Sequence, residues 1–282
     1  MTIRLGENSY GESHVRFLRV VQQQGRHDVK EVTVEVRFEG DFEEAHATGN
    51  NRKILPADTI KNTVYVLARQ YPVEALEEFC LHLVEHFLTY NPQVTGVRVE
   101  AKENLWPRVP LGGKPHPHVF ALAGNEKRTT TLSSTRQETI VRGGIENLIV
   151  LKTAKSSFEK FIRDPYTTLK DDRERILSAA IGADWLYERE ADVEFGPVWH
   201  GARQALLETF ADHDGNSVQH TMYAMGKAVL ESIDNIREIH LCMTDRYYAL
   251  ADLAPFGLDN PQAVFIPSAD RSGVIEATLR KE

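Results

Sequence analysis

At 282 residues, with 41% apolar and 26% charged side chains, the chain has the balance of a packed globular protein and the length for two ordinary domains. A formal net charge of -8 without any block of Lys or Arg excludes nucleic acid and anionic membrane as natural partners, leaving small molecules and other proteins. The polar opening MTIRLGENSYGES carries no apolar signal core, and no segment reaches the roughly 20 apolar residues that cross a bilayer, so a cytoplasmic protein is predicted.

In chain order, Val15 to Val21 and Val32 to Phe38 alternate apolar with polar residues, the signature of a half-buried antiparallel hairpin. Asp58 to Gln70 and Val73 to Tyr90 follow with apolar residues at helical spacing, Leu76, Phe79, Leu83 and Phe87 forming one stripe. Gly96 to Ala101 and Arg128 to Ser133 are predicted strands. The second half repeats the order. Leu148 to Thr153 and Ile181 to Tyr187 read as strands, Trp199 to Asp212 and Ser217 to Ser232 as helices, Glu238 to Met243 and Ile275 to Arg280 as strands. Two ββααββ units with helices on one face of antiparallel sheets make an α+β protein. The Gly143-Gly144 pair reads as a turn, which puts the domains at 1–142 and 143–282. The stretch Gly112 to His118 reads as a turn-rich connection.

Cys80 and Cys242 lie far apart in apolar segments and read as core thiols. His116-Pro117-His118 has a spacing that can hold a metal, but the sequence offers no third ligand, and a structural loop is the expectation. No glycine-rich phosphate loop, nucleophile elbow or heme signature is present.

Several strings occur in order along most of the chain: Tyr10-Gly11, Ala57-Asp58-Thr59-Ile60-Lys61-Asn62-Thr63-Val64-Tyr65, Gly113-Lys114-Pro115-His116-Pro117-His118, Leu151-Lys152-Thr153 and Phe161 through Lys170. Arg173 through Leu177, Ser217 through Tyr223 and Pro255-Phe256-Gly257-Leu258 complete the set. Together they resemble the urate oxidase family. That resemblance implies two tandem tunnelling-fold units, a homotetramer with active sites shared between subunits, and oxygen chemistry that needs neither metal nor organic cofactor.

It also implies a ring-binding set: Phe158 to stack on a purine plane, Arg175 and Gln219 to grip polar atoms on its edge, and Val218 to add a backbone group. Stacking, a guanidinium fork and an amide suit those roles. The catalytic set departs from the family. Glu12 stands where members have Lys, Ala57 where they have Thr, Asp245 where they have Asn and Tyr247 where they have His, while Asp58 is retained. Glu12 and Asp245 bring negative charge to a site that elsewhere receives the urate anion. The sequence therefore points to oxidation or hydration of a purine-like ring other than urate. Ordinary urate oxidation and a purine-binding protein without catalysis remain open beside it. If Glu12, Asp58 and Asp245 converged, they would also form a set of hard oxygen ligands.

Overall fold

The computed structural model describes residues 3–188, 193–268 and 273–282. Two compact units divide the chain, one of Met1–Gly144 with Leu186–Trp199, the other of Ile145–Trp185 with His200–Glu282.

The first unit opens with strands β1 (Tyr10–Gln23) and β2 (Arg26–Gly40), paired antiparallel. A short helix α1 (Glu43–Thr48) and a 3-10 turn (Asn51–Lys53) lead to α2 (Ala57–Gln70) and α3 (Leu76–Tyr90). Strand β3 (Val94–Asn104), the small hairpin β4 (Arg108–Leu111) and β5 (Lys114–Phe120), β6 (Lys127–Thr135) and β7 (Thr139–Lys152) follow. The sheet order is β1-β2-β3-β6, antiparallel throughout. Period-two alternation puts Val32, Val34, Val36 and Phe38 on one face, all fully buried. Ile60 and Val64 of α2 and Phe79, Leu83 and Phe87 of α3 belong to the same apolar cluster. Each such side chain contributes about 1.5–3 kcal/mol of transfer free energy before entropy is subtracted.

Three expectations shift. Helix α3 begins at Leu76 rather than Val73: Val73 is buried in the core, but its apolarity serves packing ahead of the helix, whose first turn carries Glu77 and Glu78 at the favourable end of the dipole. Gly143 and Gly144 lie inside β7 instead of in a turn, the Gly144 carbonyl accepting from Trp199 Nε1 at 2.8 Å. His116 and His118 sit on β5, not in a loop; only Gly112 and Gly113 turn, and both have positive φ (59° and 78°), as a two-residue hairpin turn demands.

The second unit takes the far end of β7, then β8 (Leu177–Tyr187) and α4 (Phe195–Asp212), whose N-terminal turn counts with the first unit. It continues with α5 (Val218–Ser232), β9 (Ile236–Asp245), β10 (Tyr248–Leu250), a 3-10 turn (Ala254–Phe256), β11 (Phe265–Pro267) and β12 (Val274–Arg280). Strand β9 pairs with β12, and α5 packs on both. Ile181, Leu206, Met222, Met225 and Leu241 are buried there. Cys80 is a core thiol, whereas Cys242 is only half-buried, because β9 turns it toward Glu276 on β12. Both halves thus show ββααββ, as β1-β2-α2-α3-β3-β6 and β7-β8-α4-α5-β9-β12. Among the described residues no helix is long and apolar enough to cross a membrane.

Candidate functional site

In the first unit the structure brings Glu12, Ala57 and Asp58 into one neighbourhood, and the reason is local. A Cβ at Gly11 would overlap the Val36 carbonyl, so only glycine lets β1 run this close to β2. Register is lost between Glu12 and Val15, with His14 at φ 59°, so Glu12 is the last regularly paired residue before a bulge. Next to it, Tyr10 packs edge-on against Phe38 and Phe42, and its hydroxyl accepts from the Leu55 N–H at 2.8 Å. That bond fixes the turn before α2. Ala57 and Asp58 open the helix and are exposed, while Glu12 is half-buried.

A residue that motif reading passed over sits among them. Lys61, one turn into α2, pairs with Asp58 at 2.5 Å and is also drawn by Glu12. The Lys61 amine holds the Asp58 carboxyl below its usual range, Asn62 adding a bond at 3.1 Å. Its signal in the sequence was its place inside the Ala57–Tyr65 string.

In the second unit the long segment after β7 folds back on itself. Phe158 and Asp172 exchange backbone bonds of 2.7 and 3.0 Å, Arg175 N donates to the Ser156 carbonyl at 2.9 Å, and Ser156 bridges to Gly215. Phe158 and Arg175 are therefore brought side by side, the guanidinium carbon 5.3 Å from the ring centroid. Phe161 stacks parallel to Phe158 at 4.9 Å, and Arg163 lies over Phe161 in turn. On the other side, Asp245 N donates to Gly273 and Arg246 N to Ser178, both at 2.8 Å, which anchors the chain leaving β9.

Between them lies a cavity of about 220 Å³ lined by Phe158, Arg175, Asp245 and Tyr247, together with Tyr248 and Phe265, which the sequence reading had not picked out. Four of the predicted residues thus meet in one place. Arg175 Nε is buried there without a hydrogen-bond partner, a donor waiting for an acceptor. Burial pushes the Asp245 carboxyl above its usual range, and the nearby Arg175 pulls the other way.

Val218 and Gln219 do not line this cavity. They form the first turn of α5, capped by the Ser217 hydroxyl, which accepts from His220 N; Val218 is buried and Gln219 exposed. Gly215 N and O bond to Lys155 and Ser157, so this helix start is tied to the irregular segment that leads from β7 into Phe158. Glu12 and Asp58 fall in one compact unit and Asp245 in the other, and no cluster of three or more His, Cys, Asp or Glu fit to hold a metal occurs among the described residues. On β5, His118 N donates to His116 Nδ1 at 3.1 Å.

Two ββααββ units with helices on antiparallel sheets define a tandem tunnelling-fold protein, with an aromatic, arginine-bearing cavity in the second unit. The uricase family model matches residues 8–133 and 141–276. The uricase of Arthrobacter globiformis is 39% identical over 278 residues, covering 99% of this chain and 90% of the relative; that of Dictyostelium discoideum is 33% identical, covering 98% and 96%. The crystal structure of the Arthrobacter globiformis uricase superposes with a TM-score of 0.94 at 39% identity, over 100% of this chain and 96% of the other. The chain belongs to the uricase family, and its relatives mark it as an oxidoreductase.

Proposed function

We propose that this protein is a cofactor-independent uricase-type enzyme, oxidising urate with dioxygen and water to 5-hydroxyisourate and hydrogen peroxide. The observation that carries this reading is the unpartnered Arg175 Nε beside the Phe158 ring, in a cavity of purine dimensions within a chain of this family. Phe158 offers its face to the ring, and Arg175 takes a carbonyl on its edge. Gln219 and the Val218 backbone contribute from the start of α5. Asp245 and Tyr247 line the same cavity, at the positions that the family resemblance gives to its oxygen-site and relay groups.

Glu12, Ala57 and Asp58 act from a neighbouring subunit of a homotetramer, each subunit carrying repeats 1–142 and 143–282, in the cytoplasm. Without the Lys and Thr usual at positions 12 and 57, Lys61 is the amine closest to that chemistry, held by Asp58 and facing Glu12. It can take up or return a proton only by leaving Asp58.

A second reading, turnover of a purine-like ring other than urate by oxidation or hydration, is favoured by the Asp245 carboxylate beside Arg175, since it opposes an incoming anion. Loss of urate absorbance with peroxide formation, followed for purified protein and for neutral purines in parallel, separates the two. Slow urate turnover is expected. No turnover of any ring, with binding intact, would leave a binding protein and sink both readings.

A further inference from the structure

Arg175 and Asp245 are opposite charges in one half-buried cavity, yet they do not neutralise each other at contact. Arg175 acts on Asp245 through space, without a side-chain hydrogen bond between them, and the Arg175 side chain leans on the Phe158 ring with Nε unpartnered. Lys170, Asp172, Glu174 and Arg246 also line the cavity, but they are exposed and their charges balance. The half-buried interior therefore holds a strong donor and a strong acceptor that are not bonded to each other, with the Phe158 ring as a floor beside the donor. A flat ring on that floor meets both when its edge carries a carbonyl oxygen next to an N–H. The carbonyl faces Arg175 and the N–H faces Asp245.

We infer that Asp245 is a specificity-determining residue that makes this cavity select the neutral lactam form of a purine-type ring, with N–H beside C=O, over the ring anion. The inference deepens the ring-binding reading of the Phe158–Arg175 cavity and rests on it. A deprotonated ring nitrogen would set a lone pair and a negative charge against the carboxylate. At separations near 4 Å and effective dielectrics between water and a protein surface, such repulsion weakens binding by about fivefold to several hundredfold. An amide at 245 removes that repulsion and still offers an oxygen to the N–H, so the carboxylate charge is what discriminates.

The test is an anaerobic titration at mildly acidic pH, where urate is an anion and xanthine is neutral, so that binding is read without turnover. Wild type should prefer xanthine. Asp245→Asn, nearly isosteric and with the backbone bonds of residue 245 kept, should raise urate affinity relative to xanthine by about tenfold or more. Asp259→Asn, which removes an exposed carboxylate that does not line the cavity, should leave the ratio where it was. An unchanged ratio in Asp245→Asn, while Phe158→Ala still weakens both rings, would overturn the selection and leave the ring site standing. An equal gain in Asp259→Asn would overturn it too, by showing that overall charge is what matters. If Phe158→Ala leaves both affinities intact, or neither ring binds wild type, the cavity is not the ring site and the inference falls with that reading.

Discussion

At position 245 burial opposes charge, and that opposition reaches stability as well as binding. Because desolvation raises the folded-state pKa of Asp245, the native protein holds this proton more tightly than the unfolded chain. Its contribution is fully present below the ordinary carboxylate range and is lost as pH rises through the raised value. Asp245→Asn should accordingly melt higher than wild type at neutral pH, with the gap closing in acid; a gap constant across pH would show that the carboxylate's charge is not its source. Phe158→Ala and Arg175→Ala should each weaken ring binding by about 1–3 kcal/mol while leaving the melting temperature close to wild type. A bound purine that keeps its affinity in both variants would displace the site. Residues of this kind were legible in the sequence only through the strings around them, since Phe158 or Arg175 alone carries no signal. Lys61, Tyr248 and Phe265 were missed because their part is set by three-dimensional neighbours: Glu12 on β1 for Lys61 of α2, the cavity wall for the other two.

Elements were far more legible than residues, wherever periodicity reported burial. Strand β2 shows it best, since its alternate side chains are fully buried. The short α1 buries nothing, and β4 and β5 expose most of their residues, so neither left an apolar period to read. At the start of α3 the sequence concealed something else. Glu77 is fully buried in the first turn, held by Arg128 of β6 at 2.6 Å and by the Tyr187 hydroxyl at 2.9 Å. Burial pushes its carboxyl up while Arg128 resists, and Arg128 lies 5.4 Å from the Trp199 ring centroid. Arg128→Met would strand a carboxylate in the core and should cost about 3–5 kcal/mol by urea denaturation. Adding Glu77→Gln should recover much of that loss, because the charge left unpaired is then gone. If the two losses simply add, the network is not acting as a pair.

On the scale of the whole molecule, the repeated ββααββ order was readable end to end, but assembly is not a property of one chain's periodicity. Light scattering should find a homotetramer at micromolar concentration, and a monomer would dismiss the shared site. Catalysis tests the same assembly. Glu12→Lys with Ala57→Thr, and Asp245→Asn with Tyr247→His, should each raise urate turnover modestly. The fourfold variant should exceed the product of the two gains, because groups acting as one catalytic unit do little singly. Brisk wild-type turnover would show that Lys61 and its neighbours already suffice.

The bonds that shape the backbone around residues 12, 57 and 245 do not run through the side chains at those positions. Glu12 follows a strand approach made by Gly11, Ala57 follows a turn pinned by Tyr10 and Leu55, and residue 245 is fixed through its main chain to Gly273. Scaffold and reagent are thereby uncoupled. Exchange of the side chains at 12, 57 and 245 should therefore leave the frame folded, so that one frame can present different groups to a ring. A library randomised at positions 12, 57 and 245 should be recovered mostly folded, and one randomised at Tyr10, Gly11, Ser156 and Gly215 should not.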